Sequence, residues 1–417
     1  MYQKPSKQLK PLSGIRVIDL SRFYSGPHAT LLLAGLGAEV IRVDDPASRM
    51  AQAKAPPYAG VKGVAMAEQT PDDLSIHYLK RNRGKKAITL NLKTPAGVAL
   101  LKQLLAQADV LFENFTPGVA ERLGIGYPQL APAFPRLIYC ALTGWGSAGP
   151  DAQEKAYDPV AQAASGLMSI TGRAGDPPLK AGSPLSDGIA GVHAALGVTS
   201  ALVQRGTTGG GQFVDISMVD CLLSLVMDEP LDHYVALGLP PQQGNRIARF
   251  CPFNTFAAAD GWLVIGAATQ GQWRALCGCI GAPELADDPE WGDVGWRIAH
   301  IDRVEARVSA WVSGIRVAEA VRMVRDAGGI AGPINGIEAL KAWPHLAERA
   351  MLAPLQHPRA GTVPDTIAAS FPLTFSEGTT GYAAPAPWPG QDNAAIYGDL
   401  LGLSQTDIAG LTEAGVI

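Results

Sequence analysis

Short apolar runs alternate along the chain with longer stretches whose apolar side chains return at every third or fourth position, the two periods of strands and helices. Ile15–Leu20, Glu39–Val43, Ile88–Leu92, Val110–Phe112, Leu137–Leu142 and Gln212–Ser217 read as strands. Between them, Pro27 is placed to open a helix that buries Leu31, Leu32, Leu33 and Leu36, and Gly37 can end it. Thr94-Pro95 caps and opens another helix, with Val98, Leu101, Leu104 and Leu105 on one side. Leu74–Leu79 and Met218–Val226 add further helical stretches. Strands alternating with helices predict a parallel sheet covered on both faces.

The second half reads differently. Leu231–Gln243 has the composition of a linker. Short strands follow at Phe256–Ala259 and Trp262–Ala267, then helices near Gln272–Ile280 and Val304–Ala327. From Pro344 onward prolines are frequent, and Ser404–Ala414 is a final helix. The expected architecture is α/β: a Rossmann-like large domain over 1–225, a linker over 226–245, a smaller α+β domain over 246–342, and a return segment over 343–417 that completes the large domain.

The most informative stretch is 155–205. Ile189, Val192, Leu196, Thr199 and Val203 share one helical face, and the residues before them, SPLS, favour a turn. Asp187 therefore stands where a loop becomes a helix. There it can serve as an N-cap, for which Asp is favoured, or as an ionised carboxylate held at the mouth of a site as a nucleophile.

The chain has 417 residues, 47% of them hydrophobic and 17% charged, enough for two or three domains with a large core. A net charge of −4 gives no general attraction to nucleic acid or anionic membrane. The first residues, MYQKPSKQLKPLSG, lack the apolar centre of a signal peptide, and no run reads as a membrane span, so a cytoplasmic protein is expected. Five cysteines without a CxxC pair and seven scattered histidines suggest neither a disulfide framework nor a metal site.

Two loops carry candidate chemistry. The first βα loop, SRFYSGPHA, lacks the glycines of a dinucleotide-binding turn, which argues against a nicotinamide enzyme. Lys80–Lys86 reads KRNRGKK, either a solvated surface loop or a clamp for phosphates. Glu113–Gly124 (ENFTPGVAERLG) leaves a strand at the end where open α/β sheets bind ligands.

Taken in order, GIRVIDLSRFYSGPHAT, LGAEVIRVDDP, NRGKKAITLNLKTPAG, DVLFENFTPGVAERLGIGY, LIYCALTGWGSAGP, KAYDPVAQAASGLMSITG, PLSDGIAGVHAALGVTSAL, GGGQFVDISMVD, ADGWLVIG and GIAGPIN resemble the class III coenzyme A transferases over nearly the whole chain. The resemblance implies Asp187 as the catalytic aspartate, with Tyr24 and Tyr157 beside the reacting centre. It implies Arg42, Arg83, Asn114, Phe115, Arg122 and Lys155 around the coenzyme. It also implies a coenzyme A thioester as substrate with no tightly bound cofactor, a small carboxylic acid as co-substrate, and an interlocked homodimer. The chain departs from the family's pattern at Tyr24, where formyl-CoA transferase has Gln, and at Gly390-Gln391-Asp392-Asn393, where many relatives have Gly-Glu-His-Thr. A 2-methylacyl-CoA racemase is the competing activity on this fold, but that branch has His where this chain has Tyr157, a poor base at neutral pH. A non-catalytic CoA-binding subunit is the third reading. Arg22, Arg246 and Arg249 are candidates to pair with a second carboxylate of the acid, and Gln242–Asn245 is a candidate loop to close the site.

Overall fold

The computed structural model describes residues 9–51, 53–234 and 236–417; the first eight residues of the N-terminal stretch judged not to be a signal peptide lie outside them. Contacts divide the chain into two compact units. One comprises 1–165, 181–226 and 344–417, and the other 166–180 and 227–343. Beyond the expected linker, Gly166–Lys180 groups with the second unit, which no change in composition announces.

The first unit is built on six parallel strands: β1 (Arg16–Asp19), β2 (Glu39–Asp44), β3 (Lys86–Thr89), β4 (Val110–Glu113), β5 (Ile138–Thr143) and β6 (Phe213–Ser217). Their order is β3-β2-β1-β4-β5-β6, with the direction of winding reversing between β1 and β4. Open sheets of this kind take ligands beyond the strand C-termini at that reversal. The strands β2, β4 and β5 are buried on both sides, as a sheet covered on both faces requires. Helix α1 (Ser25–Gly35) follows β1, and α2 (Ile76–Arg81) precedes β3. Helix α3 (Pro95–Leu105) is capped by Thr94, whose hydroxyl accepts the Gly97 N–H at 3.0 Å. The remaining helices used below are α4 (Asp158–Ala164), α5 (Leu185–Thr208) and α6 (Met218–Val226).

Helix α5 inverts an intuitive reading of its pattern. Its buried face consists of Ala190, Gly191, Ala194, Ala195, Val198 and Ala201. Val192, Leu196 and Val203 lie on the opposite face and are 52%, 61% and 76% exposed. Small residues are selected where α5 and α1 meet because the backbones come close. A Cβ on Gly191 would stand 2.9 Å from a His28 ring carbon and 3.0 Å from the Ser25 carbonyl oxygen. At 24 residues and a mean hydropathy of 1.2, α5 is also long and apolar enough to cross a membrane, which corrects the expectation that no run is. One face of it packs in the core with α1 and the sheet.

The return segment seals the sheet's edge. Asp392 accepts the Ala87 N–H at 2.7 Å and its own N–H donates to the Ala87 carbonyl at 2.9 Å. The Asn393 amide oxygen accepts the Thr89 N–H at 2.9 Å. The run Gly390–Asn393, where the family pattern is broken, thus pairs with β3 and leaves no open edge there.

The second unit holds an antiparallel sheet of Phe253–Ala258, Gly261–Gly266 and Ile330–Pro333. Its core gathers Phe256, Leu263, Trp273, Leu276, Val304, Val308 and Val324. The helical stretch expected over 304–327 is two helices, Ile301–Val312 and Val317–Asp326, separated at Ser313-Gly314.

Candidate active site

Asp187 lies in the first turn of α5, two residues inside its start, and is not the N-cap. The capping role belongs to Asp158, the first residue of α4. Its Oδ1 accepts the Ser186 N–H at 2.8 Å, the Ser186 hydroxyl at 2.7 Å and, at 3.4 Å, the Asp187 N–H. Its Oδ2 accepts from Gln162 at 2.7 Å. With the helix end satisfied by another residue, the Asp187 carboxylate is free for other work. It faces the first turn of α1, where the Ser25 hydroxyl and N–H both hydrogen-bond to it. Gly191, one turn further along α5, is what allows this approach.

These groups border a cavity of about 280 Å³. Its wall includes Phe23, Ser25, Asn114, Phe115, Thr143, Lys155, Tyr157, Asp187 and Met218. Most stand just beyond the C-terminal end of a strand or at the start of a helix, as the sheet topology directs. Phe23 adopts a left-handed backbone (φ 66°), unusual for a bulky residue and characteristic of site loops. Its ring meets Tyr157 edge to face, with centroids 6.1 Å apart. Asn114 fixes that loop by donating to the Arg22 carbonyl and accepting its N–H, both at 2.8 Å.

Asp187 is pushed up to about 6, chiefly by burial and then by the nearby Asp158 charge, with Ser25 and Arg81 opposing. It is therefore mostly ionised at neutral pH, yet poorly solvated. Glu113, at the end of β4, is pushed up to about 7 by burial, although its carboxylate accepts the Phe115 N–H at 2.6 Å. His28 is pushed down to about 4 by burial and by Lys85 and Arg81, and so stays neutral.

Of the residues implied by the resemblance, Asn114, Phe115, Lys155, Tyr157 and Asp187 come together on this one cavity. Tyr24 stands just behind it, between Phe23 and Ser25, with its ring 5.5 Å from that of His28. Arg122 borders a separate hollow with Lys93, Thr94 and Lys102. Arg42 is 1% exposed and locked to Asp44 at 2.6 and 2.9 Å, beside the Tyr78 ring. Arg83 donates to the carbonyls of Lys80 and Ala369 and lies over the Tyr382 ring.

The basic run Lys80–Lys86 does not act as one clamp. Lys85 is fully buried on Asp19, and Lys86 reaches Glu39 at 2.5 Å. The expected second-carboxylate arginines are also engaged. Arg246 pairs with Asp302 and Glu305, and Arg249 with Glu229, both within the second unit. Arg22 borders a further hollow with Asp45 and Lys93. Gln242 and Gly244 are anchored in the second unit by bonds to the carbonyls of Thr171 and Gly172. Sequence reasoning missed Ser25 and Asp158, and it offered Arg81 only as part of the basic run, not as a neighbour of Asp187. Of the two missed, only Asp158 left a signal, as Asp-Pro at the head of an apolar repeat.

A poorly solvated carboxylate in the first turn of a helix, on a cavity lined by strand ends, is an arrangement suited to a nucleophile. The CoA-transferase family III model matches residues 12–393, and the chain belongs to that family. It is an enzyme that moves coenzyme A between an acyl-CoA and a carboxylic acid. The chain is 30% identical over 419 residues to the human succinyl-CoA:glutarate CoA-transferase, covering 100% of this chain and 92% of that one. It is 32% identical over 408 residues to the succinate–glutarate CoA-transferase of Agrobacterium fabrum, covering 97% and 99%. It is 37% identical over 350 residues to the acetyl-CoA:oxalate CoA-transferase of Acetobacter aceti, covering 84% and 87%. Among solved structures, a CAIB/BAIF family protein from Brucella suis superposes with a TM-score of 0.80 at 28% identity, covering 94% of this chain and 100% of that one.

Proposed function

We propose that coenzyme A is transferred through covalent intermediates on Asp187 and that the acids exchanged are dicarboxylates. The observation that carries the first part is the Asp187 carboxylate, poorly solvated, held by two Ser25 donors and opening on the cavity. An Asp187 oxygen attacks the thioester carbonyl; the C–S bond breaks and coenzyme A leaves as thiolate, giving a mixed anhydride. The thiolate attacks the aspartyl carbonyl; the anhydride C–O bond breaks and the donor acid departs as carboxylate. The acceptor carboxylate attacks the aspartyl thioester, releasing thiolate again. The thiolate takes the acceptor acyl group and the Asp187 carboxylate is restored. No net proton is gained or lost, so the site needs an ionised nucleophile and no general base. Tyr24 and Tyr157 border the reacting centre, and Lys155, Asn114 and Phe115 contact the thioester arm.

The dicarboxylate reading is supported by the names of the relatives, which refer to succinate, glutarate and oxalate. A cytoplasmic homodimer with interlocked chains completes the proposal. The exposed Val192, Leu196 and Val203 of α5 support an apolar surface that a second copy covers. Sedimentation should give a dimer that persists on dilution, and a reversible monomer would contradict interlocking.

Enzyme incubated with acyl-CoA and quenched with hydroxylamine should carry a hydroxamate on the peptide containing Asp187. Asp187→Asn should stay folded, bind acyl-CoA and lose at least about 10³-fold in kcat. Substantial turnover by Asp187→Asn, with deamidation excluded by mass spectrometry, would place the nucleophile elsewhere.

A further inference from the structure

Arg81 is the one member of the basic run that turns toward Asp187. It ends α2, and its guanidinium carbon lies over the Tyr24 ring, 3.9 Å from the centroid. Its Nη1 donates to the Phe23 carbonyl at 3.2 Å, so it is attached to the strained loop that borders the cavity. Its Nη2 comes no closer than 3.5 Å to His77 Nδ1. At the far end of the Tyr24 ring the hydroxyl approaches Gly188, the neighbour of Asp187; a Cβ there would stand 3.7 Å from it. Arg81 on the ring face and the first turn of α5 at the hydroxyl end thus meet the same Tyr24 side chain.

Among the described residues no carboxylate forms an ion pair with Arg81, although Arg42, Lys85, Lys86, Arg246 and Arg249 all have one. A guanidinium has five donors in a planar fork. The contacts above occupy few of them, and the Tyr24 ring supports one face of the group. Burial, with Arg81 among the neighbouring cations, keeps His28 and His77 below the usual histidine range.

We infer that Arg81 binds the distal carboxylate of a short dicarboxylic acid whose reacting carboxyl is joined to Asp187. This rests on the reading of Asp187 as the covalent centre. With the acid held as an anhydride on Asp187, the chain of a short dicarboxylate runs along Tyr24 toward Arg81, and its free carboxylate meets the fork bidentately. A monocarboxylic acid of equal length leaves the fork unmatched. Arg81 is then a specificity-determining residue, selecting the acid and taking no part in bond exchange.

The experiment compares glutarate with pentanoate, and succinate with butyrate, as acceptors from one acyl-CoA donor. For Arg81→Leu the ratio of kcat/KM for each dicarboxylate over its monocarboxylate should fall about 10- to 100-fold, the size expected for a lost charge-assisted pair. Arg81→Lys, which keeps the charge and loses the fork, should fall between. A ratio unchanged in Arg81→Leu overturns the inference. A rise in KM for acyl-CoA, with both acids slowed alike, overturns it too and assigns Arg81 to a coenzyme phosphate. Hydroxamate formation on Asp187 is measured in the same variants, so loss of the covalent centre is told apart from loss of acid selection.

Discussion

The two sides of the first turn of α1 treat charge in opposite ways. Beneath it, Asp19 and Lys85 are fully buried, and every polar atom has a partner. Asp19 accepts from Thr30 at 2.6 Å, from the Ser21 N–H at 2.9 Å, from the Ser21 hydroxyl and from Lys85 at 3.2 Å. Lys85 also donates to the Pro27 carbonyl and Thr30 at 2.9 and 2.8 Å. Above the turn, Asp187 and Arg81 are both half-buried, each influenced by the other, and neither is saturated. The saturated cluster fixes the loop that carries Phe23, Tyr24 and Ser25. The unsaturated groups it holds in place remain available to a substrate. A buried charge with all its bonds made is architecture; one with bonds left to make, on a cavity wall, is chemistry.

The comparison breaks most readily at Lys85. Lys85→Met leaves the buried Asp19 carboxylate without its cation and should cost about 3–5 kcal/mol in urea unfolding. Arg81→Leu, on the open side, should cost no more than about 1 kcal/mol. The double variant Asp19→Asn/Lys85→Met should recover much of the loss, since no lone charge is then buried. Equal costs at Lys85 and Arg81 would end the distinction.

Asp187→Asn should move stability the other way. An acid whose folded pKa is raised from 3.8 to about 6 holds its proton more tightly folded than unfolded. Stability is therefore lost as pH rises between those values, and the deficit is complete above about 6. Asn removes it, so the variant should be more stable than wild type at pH 7, by on the order of 2 kcal/mol after allowing for partial exposure. The two should converge below pH 4. Thermal melts at both pH values check this, and a variant less stable than wild type at pH 7 would show that Asp187 holds the fold together.

Strand and helix periodicity made the parallel sheet legible, and ordered motifs made the family legible. Periodicity also drew attention to Asp187 at the head of α5. It misjudged what surrounds that residue, for physical reasons. Hydrophobic patterns weigh large side chains, whereas the α1–α5 contact selects small ones, so Gly191 and the alanines carried the packing information unnoticed. Asp158 caps a helix 27 residues away in sequence, a pairing that local rules cannot foresee. The charges of Lys80–Lys86 diverge because Arg81 ends a helix, Lys85 follows a turn into the core and Lys86 begins a strand. Adjacent in sequence, they serve separate regions.

The smallest effect concerns Ser25, which joins the two regions. Its hydroxyl and N–H stabilise the ionised form of Asp187 against burial and Asp158. Ser25→Ala removes the hydroxyl and keeps the N–H. The carboxylate then ionises at higher pH, and the acid limb of the kcat/KM profile should move the same way. At pH 8, where Asp187 is ionised in both enzymes, the loss should be slight. Near pH 6 it should reach about 3- to 10-fold, the worth of one hydrogen bond to a charged group. If Ser25 merely positioned the carboxylate, the loss would be the same at every pH. A full profile between pH 5 and 9 separates the two, and parallel curves would show that the hydroxyl orients Asp187 without tuning its charge.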